Sequence, residues 1–400
     1  MRPLHPPHHG RFAGHPCHGR QLVDTRSTLN AHGDGPDALR VDSVLPMTLP
    51  TEPIGSLPRS AQLLAAVEQH AAGQLDDASL AQQRQDAVRD TIARLEALGS
   101  PVVTDGEQAK SSFATYPLEG LTGLAPDGAV IPFADGHTRQ LPLLTAGPFR
   151  YGTYADSYLL AAQQYAKVPV KQAVIAPSAI SLIYPADGIA GYPREQFVAD
   201  LADQAEQDIR RCLRAGAQRV QIDFTEGRLA LKLDPSGGLL DSFVALNNSV
   251  LERFSDEDRA RIGVHTCPGG DQDSTHSADV DYAQLLPRLF ALRAGAFYLE
   301  LAGEAEPRRV LDLVAKHAGE DQQIFVGVTD PIDPVVETPQ QVRDRVLTAA
   351  EYIDPSRLGT CDDCGFAPFA DDRSTSRETA FAKIAARIEG TALASTELGV

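Results

Sequence analysis

The chain has 400 residues, 54 acidic and 36 basic side chains, and a formal net charge of −18. That acidity excludes a general nucleic-acid binder, which needs a basic face, and equally a protein that docks on anionic lipid. With 42% hydrophobic and 22% charged residues and no apolar run near the roughly 18 residues a bilayer crossing requires, a globular cytoplasmic protein without a membrane span is expected. The N-terminus lacks a secretory apolar stretch, and five cysteines, an odd number, do not make a disulfide framework.

Residues 1–46 hold six of the eleven histidines: His5, His8, His9, His15, His18 and His32. They read as a disordered extension or a translated upstream region, with metal binding as the alternative, and Cys17 goes with them. One domain is expected over 47–400. Eight short strand-like runs follow: Thr51–Ser56, Val102–Asp105, Val174–Pro177, Val220–Phe224, Ile262–Thr266, Phe297–Leu301, Ile324–Val328 and Leu358–Cys361. Helical patterns accompany them at Ser60–Leu75, Leu80–Leu98, Glu195–Ala215, Asp241–Phe254, Tyr282–Ala294, Arg308–His317, Pro339–Tyr352 and Ser376–Ile388. Strands alternating with helices mean βα units and a parallel sheet, and eight of them predict a single-domain α/β (β/α)8 TIM barrel. An open doubly wound sheet usually carries a Gly-rich phosphate turn, and neither GxGxxG nor GxxxxGK[ST] occurs. The segment 115–170 reads as an insertion, with turn signals at Pro126-Asp127-Gly128 and Asp135-Gly136 that predict a hairpin over the barrel mouth.

In a barrel of this kind the chemistry sits where strands end. His265 and Cys267, two apart at a strand end, face the same way, and imidazole nitrogen and thiolate sulfur are ligands that zinc favours. Cys364 and Glu300 are the candidates for a third ligand; the alternative is a buried histidine with structural thiols. Cys361 and Cys364 form a CxxC, readable as a redox pair or half a zinc knuckle. No second CxxC exists, and the reading preferred is Cys364 as ligand and Cys361 as a strand residue. Cys212 reads as core and His276 as solvated. Glu107, Asp223 and Asp330 converge on the same mouth, where carboxylates hold a substrate ammonium or act as acid and base; otherwise they are solvated loop charge.

Taken together, Ile54-Gly55-Ser56, Asp105-Gly106-Glu107, Gln221-Ile222-Asp223, Val264-His265-Thr266-Cys267, Leu299-Glu300 and Asp363-Cys364-Gly365-Phe366 stand in a recognisable order and spacing. Over about residues 51–390 the chain resembles the catalytic half of cobalamin-independent methionine synthase. It is closer still to the short single-barrel relatives that include epoxyalkane:coenzyme M transferases. The resemblance implies one zinc ion on His265, Cys267 and Cys364, with Glu300 as a displaceable fourth ligand. It implies that Ile54, Gly55 and Ser56 hold the carboxylate of homocysteine, and that Glu107 and Asp223 hold its ammonium group. The implied partners are homocysteine and a methyl donor, methyltetrahydrofolate or a methylcorrinoid; a homo-oligomer is compatible with it. Alkylation of another thiol is the alternative, although a sulfonate would find Glu107 and Asp223 unhelpful. The chain departs from the long enzymes in three ways. It has no room for a second barrel. It reads Asp330-Pro331-Ile332-Asp333 where they carry an Asp-Ile-His, which leaves Asp330 as the acid–base candidate. It has no tryptophan, and Tyr184 is the nearest substitute for the ring they stack on the pterin.

Overall fold

The computed structural model of the chain describes residues 48–400; the expectations for residues 1–46, Cys17 included, lie outside the described residues. Six parallel strands, Gln172–Ile175, Val220–Asp223, Ile262–Thr266, Ala296–Leu299, Gln323–Gly327 and Leu358–Cys361, lie side by side in chain order. Nearly every residue in them is buried, which is why they read as unbroken apolar runs rather than alternating ones. Helices return the chain between strands; Arg194–Arg214 buries Phe197, Leu201, Ala205, Ile209 and Cys212 at spacings of three and four, so Cys212 is core. Among the described residues no helix is long and apolar enough to cross a membrane.

The sheet has two faces. The helix side carries the large apolar core. The inner side carries a smaller cluster, Ile54, Ala296, Tyr298, Phe325 and Cys361. Two glycines make room for its rings: a Cβ on Gly263 would stand 2.6 Å from the Tyr298 ring, and one on Gly359 2.6 Å from the Phe325 ring. Register places Asp223 beside His265, and His265 beside Tyr298, on that inner side.

The first two expected strands are shorter than their runs. Thr51 bridges Thr360 and Val103 bridges Val170, each as a single pair at opposite edges of the sheet. Pro50 and Pro53 remove ladder donors from the first. In the second, the Thr104 hydroxyl takes over, donating to the Gly55 carbonyl (3.1 Å) and accepting from Gly106 N (3.2 Å). Leu57 N also donates to the Gly106 carbonyl (3.0 Å), so the two segments bond each other. The expected third strand ends earlier, because Pro177 opens the short helix Pro177–Ile180, where its missing N–H costs nothing. Helices Asp156–Gln163 and Glu226–Leu233 were not expected; each is only eight residues long.

The insertion forms the expected hairpin. Val130–Pro132 pairs antiparallel with Thr138–Gln140, turning at Asp135-Gly136 with Gly136 at φ +95°. Beneath it, Leu124–Ala125 pairs with Leu143–Leu144, closing the base of the segment.

Candidate metal centre

His265 ends one inner-facing strand, Cys267 follows two residues on, and Cys364 leaves the last strand of the sheet. One ligand atom from each lies within 4.8 Å of the others. The Cys267 and Cys364 sulfurs are 3.1 Å apart, well beyond the roughly 2.05 Å of a disulfide. Both ring nitrogens of His265 are buried without a hydrogen-bond partner. Unpartnered buried imidazole is costly, and a cation set between the three groups would satisfy it. The hydrogen bond shared with Cys267, with His265 beside it, holds the Cys364 thiol well below the ordinary range. Two sulfurs and one imidazole nitrogen suit zinc and leave a fourth position open. Cys361 is elsewhere, in the inner apolar cluster.

Glu300 is buried near this group but outside it. Its Oε2 has no hydrogen-bond partner and lies 3.6 Å from the Arg228 guanidinium; burial pushes its carboxyl well above the usual range. The turn after it is pinned by Asp363, whose carboxylate accepts from Leu301 N, Ala302 N and Gly303 N at 3.0, 2.9 and 2.7 Å.

A cavity of about 30 Å³ adjoins His265 and Cys364, with Ile54, Gly55, Ser56, Glu107 and Asp223 also among its walls. Glu107 has left-handed backbone (φ 55°), and its Oε1 accepts from Lys110 Nζ at 3.0 Å while Oε2 is buried and unpartnered. Asp223 Oδ1 accepts from Gln221 Nε2 at 2.7 Å, and burial pushes its carboxyl up to about 6. Ser56 is wedged against Gly365, where an added Cβ would lie 2.1 Å from Ser56 Oγ. The structure thus brings together Ile54, Gly55, Ser56, Glu107, Asp223, His265 and Cys364, with Cys267 behind them.

A second cavity, about 370 Å³, shares Phe113, Thr225, Gly269 and Gly270 with the first. The hairpin contributes Ile131, Phe133, Thr138, Arg139 and Gln140 to its wall; Ile175, Ile180, Ile183 and Leu229 make the rest largely apolar. Arg139 latches the hairpin: its guanidinium donates to Asp271 at 2.5 and 3.1 Å and to Asp371 at 2.9 Å twice. Glu226 also lines this cavity, buried, with one oxygen taking the Ser178 hydroxyl and the other unpartnered; burial pushes it up to about 8.

Three expectations need correcting. His276 is not solvated: it is buried against the large cavity, edge-on to Phe133, and burial pushes it down to about 4. Tyr184 does not face the cavity as a stacking ring; it stacks on Phe197 at 5.0 Å and donates its hydroxyl to the Tyr192 carbonyl. Asp330 is in neither cavity wall; its Oδ1 accepts from Ile332 N at 2.9 Å, and its Oδ2 faces Gly303 together with Asp363. Lys110 escaped the sequence reading altogether, because its only signal was a lysine three residues after Glu107.

The parallel α/β sheet thus carries at its strand ends a buried His-Cys-Cys group, with the geometry to hold a metal ion, beside a small polar pocket. The chain belongs to a known family: residues 49–386 match the catalytic domain of the cobalamin-independent synthases. It is similar to the methionine synthase of Saccharolobus solfataricus, at 26% identity over 357 residues, 89% of this chain and 97% of the relative. That of Sulfurisphaera tokodaii is 24% identical over 351 residues, covering 88% and 94%. Among solved structures, the fold matches a B12-independent methionine synthase from Shewanella sp. W3-18-1 in complex with selenomethionine. That match has a TM-score of 0.70 and 20% identity, covering 88% of this chain and 99% of the other.

Proposed function

We propose that the chain is a zinc-dependent methyltransferase that transfers a methyl group to the thiol of homocysteine, forming methionine. Residues 47–400 act as one catalytic domain, a cytoplasmic (β/α)8 barrel whose first two strands are the short Thr51 and Val103 segments. The observation that carries this reading is the shared cavity: the His265–Cys267–Cys364 group and two buried carboxylates, Glu107 and Asp223, meet at one small space.

Zinc held by His265, Cys267 and Cys364, with Glu300 as a displaceable ligand, would lower the proton affinity of a substrate thiol enough to ionise it near neutral pH. The chain's own residues then fix the rest of the amino acid. Glu107 Oε2 is buried without a hydrogen-bond partner, so an ammonium group there would gain a charge-assisted hydrogen bond. Asp223 offers a second carboxylate from the strand beside that of His265. Ser56 and the Ile54–Gly55 backbone stand where the carboxylate of the same amino acid would be received. Held at both ends, the thiol is aimed toward the 370 Å³ cavity, whose apolar walls suit a methyl donor and exclude water. The donor is methyltetrahydrofolate or a methylcorrinoid.

The test is methionine formation by purified zinc-loaded protein given homocysteine with methyltetrahydrofolate and, separately, with methylcobalamin. Methionine from either supports the reading and names the donor. The reading fails if neither yields methionine and the zinc-edge X-ray absorption spectrum gains no sulfur ligand on adding homocysteine.

A further inference from the structure

The residue beneath the amino-acid pocket is Gln221, fully buried two positions before Asp223 on the same strand face. Its amide makes three hydrogen bonds, using both N–H groups and the oxygen. Its Oε1 accepts from Lys171 Nζ at 2.8 Å, and its Nε2 donates to the Ile54 carbonyl at 3.0 Å and to Asp223 Oδ1 at 2.7 Å. The orientation of an amide is ambiguous by shape alone, but here the neighbours decide it. Lysine has donors only, so the atom facing it is oxygen; the Ile54 carbonyl and the Asp223 carboxylate are acceptors, so the atom facing both is NH2. Lys171 is itself locked, 0% exposed, over the Tyr298 ring at 4.1 Å and 3.6 Å from Glu52.

We propose that Gln221 is a positioning residue that ties the two halves of the amino-acid pocket into one rigid receptor, with Lys171 setting its orientation. One N–H holds the segment that begins Ile54-Gly55-Ser56; the other holds Asp223 by one oxygen and leaves the second oxygen for the ligand. The ligand class this selects is an α-amino acid carrying both charged groups, over a thiol or thioether with only one. The inference rests on the reading of Asp223 and Ile54–Ser56 as the amino-acid end of the site.

The test compares binding of L-methionine and 4-(methylthio)butanoate, which lacks the ammonium group, by titration calorimetry on the purified full chain. The readout is the ratio of the two affinities, which a generally weakened fold would not move. Gln221→Glu keeps an acceptor for Lys171 but replaces both N–H groups by an oxygen facing two other oxygens; Lys171→Met leaves the amide free to turn over and serves if the first variant does not fold. The wild-type chain is expected to favour L-methionine. Gln221→Glu is expected to cut that preference by about tenfold or more, and Lys171→Met by about threefold. A wild-type preference that survives in both variants overturns the role of Gln221 alone. A wild-type chain with no preference overturns the amino-acid reading of the pocket, and the role of Gln221 with it.

Discussion

Replacing Lys110 by methionine should unfold the site from below. Lys110 Nζ lies 3.0 Å from Glu107 Oε1 and 3.1 Å from the Ala173 carbonyl, and the two charged side chains are 1% and 2% exposed. The ammonium also sits over the Tyr116 ring at 4.6 Å. Methionine keeps the length and the apolar contact but takes away three interactions. Stranding the Glu107 carboxylate costs about 3–5 kcal/mol by the behaviour of buried pairs broken on one side. The orphaned Ala173 carbonyl adds about 1 kcal/mol or more, and the lost cation–π contact about 0.5–1. The sum, roughly 4.5–7 kcal/mol, is a large part of the 5–15 typical of a whole domain. Equilibrium urea unfolding of wild type, Lys110→Met, Glu107→Gln and the double variant measures it as a cycle. Removing both charges should restore most of the loss, because the neutral amide that Glu107→Gln introduces needs no counter-ion. A Lys110→Met variant within about 1 kcal/mol of wild type, or a double variant as unstable as the single one, would refute this account of the pair.

Three further outcomes are expected. Cys267→Ser should bind zinc at well under one equivalent by elemental analysis while Cys361→Ser keeps a full equivalent; equal loss in both would return Cys361 to the metal. Glu226, raised to about 8 by burial, is protonated in the folded chain at pH values where the unfolded chain has lost that proton. The stability it contributes is present below the unfolded value near 4.5 and fades as pH rises through about 8. Glu226→Gln should therefore gain on wild type by about 2–4 kcal/mol between pH 5 and pH 9 in denaturant titrations; a pH-independent difference would show that the group does not titrate so. Arg139→Ala should raise amide exchange over residues 130–140 by about tenfold or more, leaving the parallel strands protected; unchanged exchange would mean that the ion pairs to Asp271 and Asp371 do not hold the hairpin.

The meeting of His265 and Cys267 was legible because strand geometry has period two: a histidine and a cysteine two apart at the end of an apolar run face one way. The parallel strands were legible as unbroken apolar runs, and the hairpin through Asp135-Gly136. What escaped has physical reasons. The first two strands were read too long because ladder bonds there are replaced by the Thr104 hydroxyl and lost to prolines, which apolar pattern does not register. Lys110 and Lys171 were invisible as structural residues because composition places lysine at the surface. For Lys171 the partners Gln221 and Glu52 converge only through the fold, and for Lys110 the local Glu107 is joined by the distant Ala173 carbonyl. Tyr184 was assigned by chain proximity to a cavity, and packing on Phe197 took its ring into the helix layer instead.

The segment from Leu124 to Leu144 enters and leaves the body at one paired base, with its two ends side by side. It supplies much of the wall of the large cavity and none of the wall of the small one. The protein is thus split, in hereditary terms, into a fixed part and an exchangeable one. An insertion of one residue in the Ile262–Thr266 strand would turn His265 to the opposite face, and the His265–Cys267–Cys364 group would be lost at a stroke. Inside the hairpin, length and side chains have more freedom: it is tied down by Arg139, His137, the Phe133 ring against His276, and the bonds of Asp135 N to the Ser274 hydroxyl and Ala134 N to the Thr275 carbonyl. Lineages with the same metal group and different hairpins would share one acceptor chemistry and diverge in what they accept on the other side.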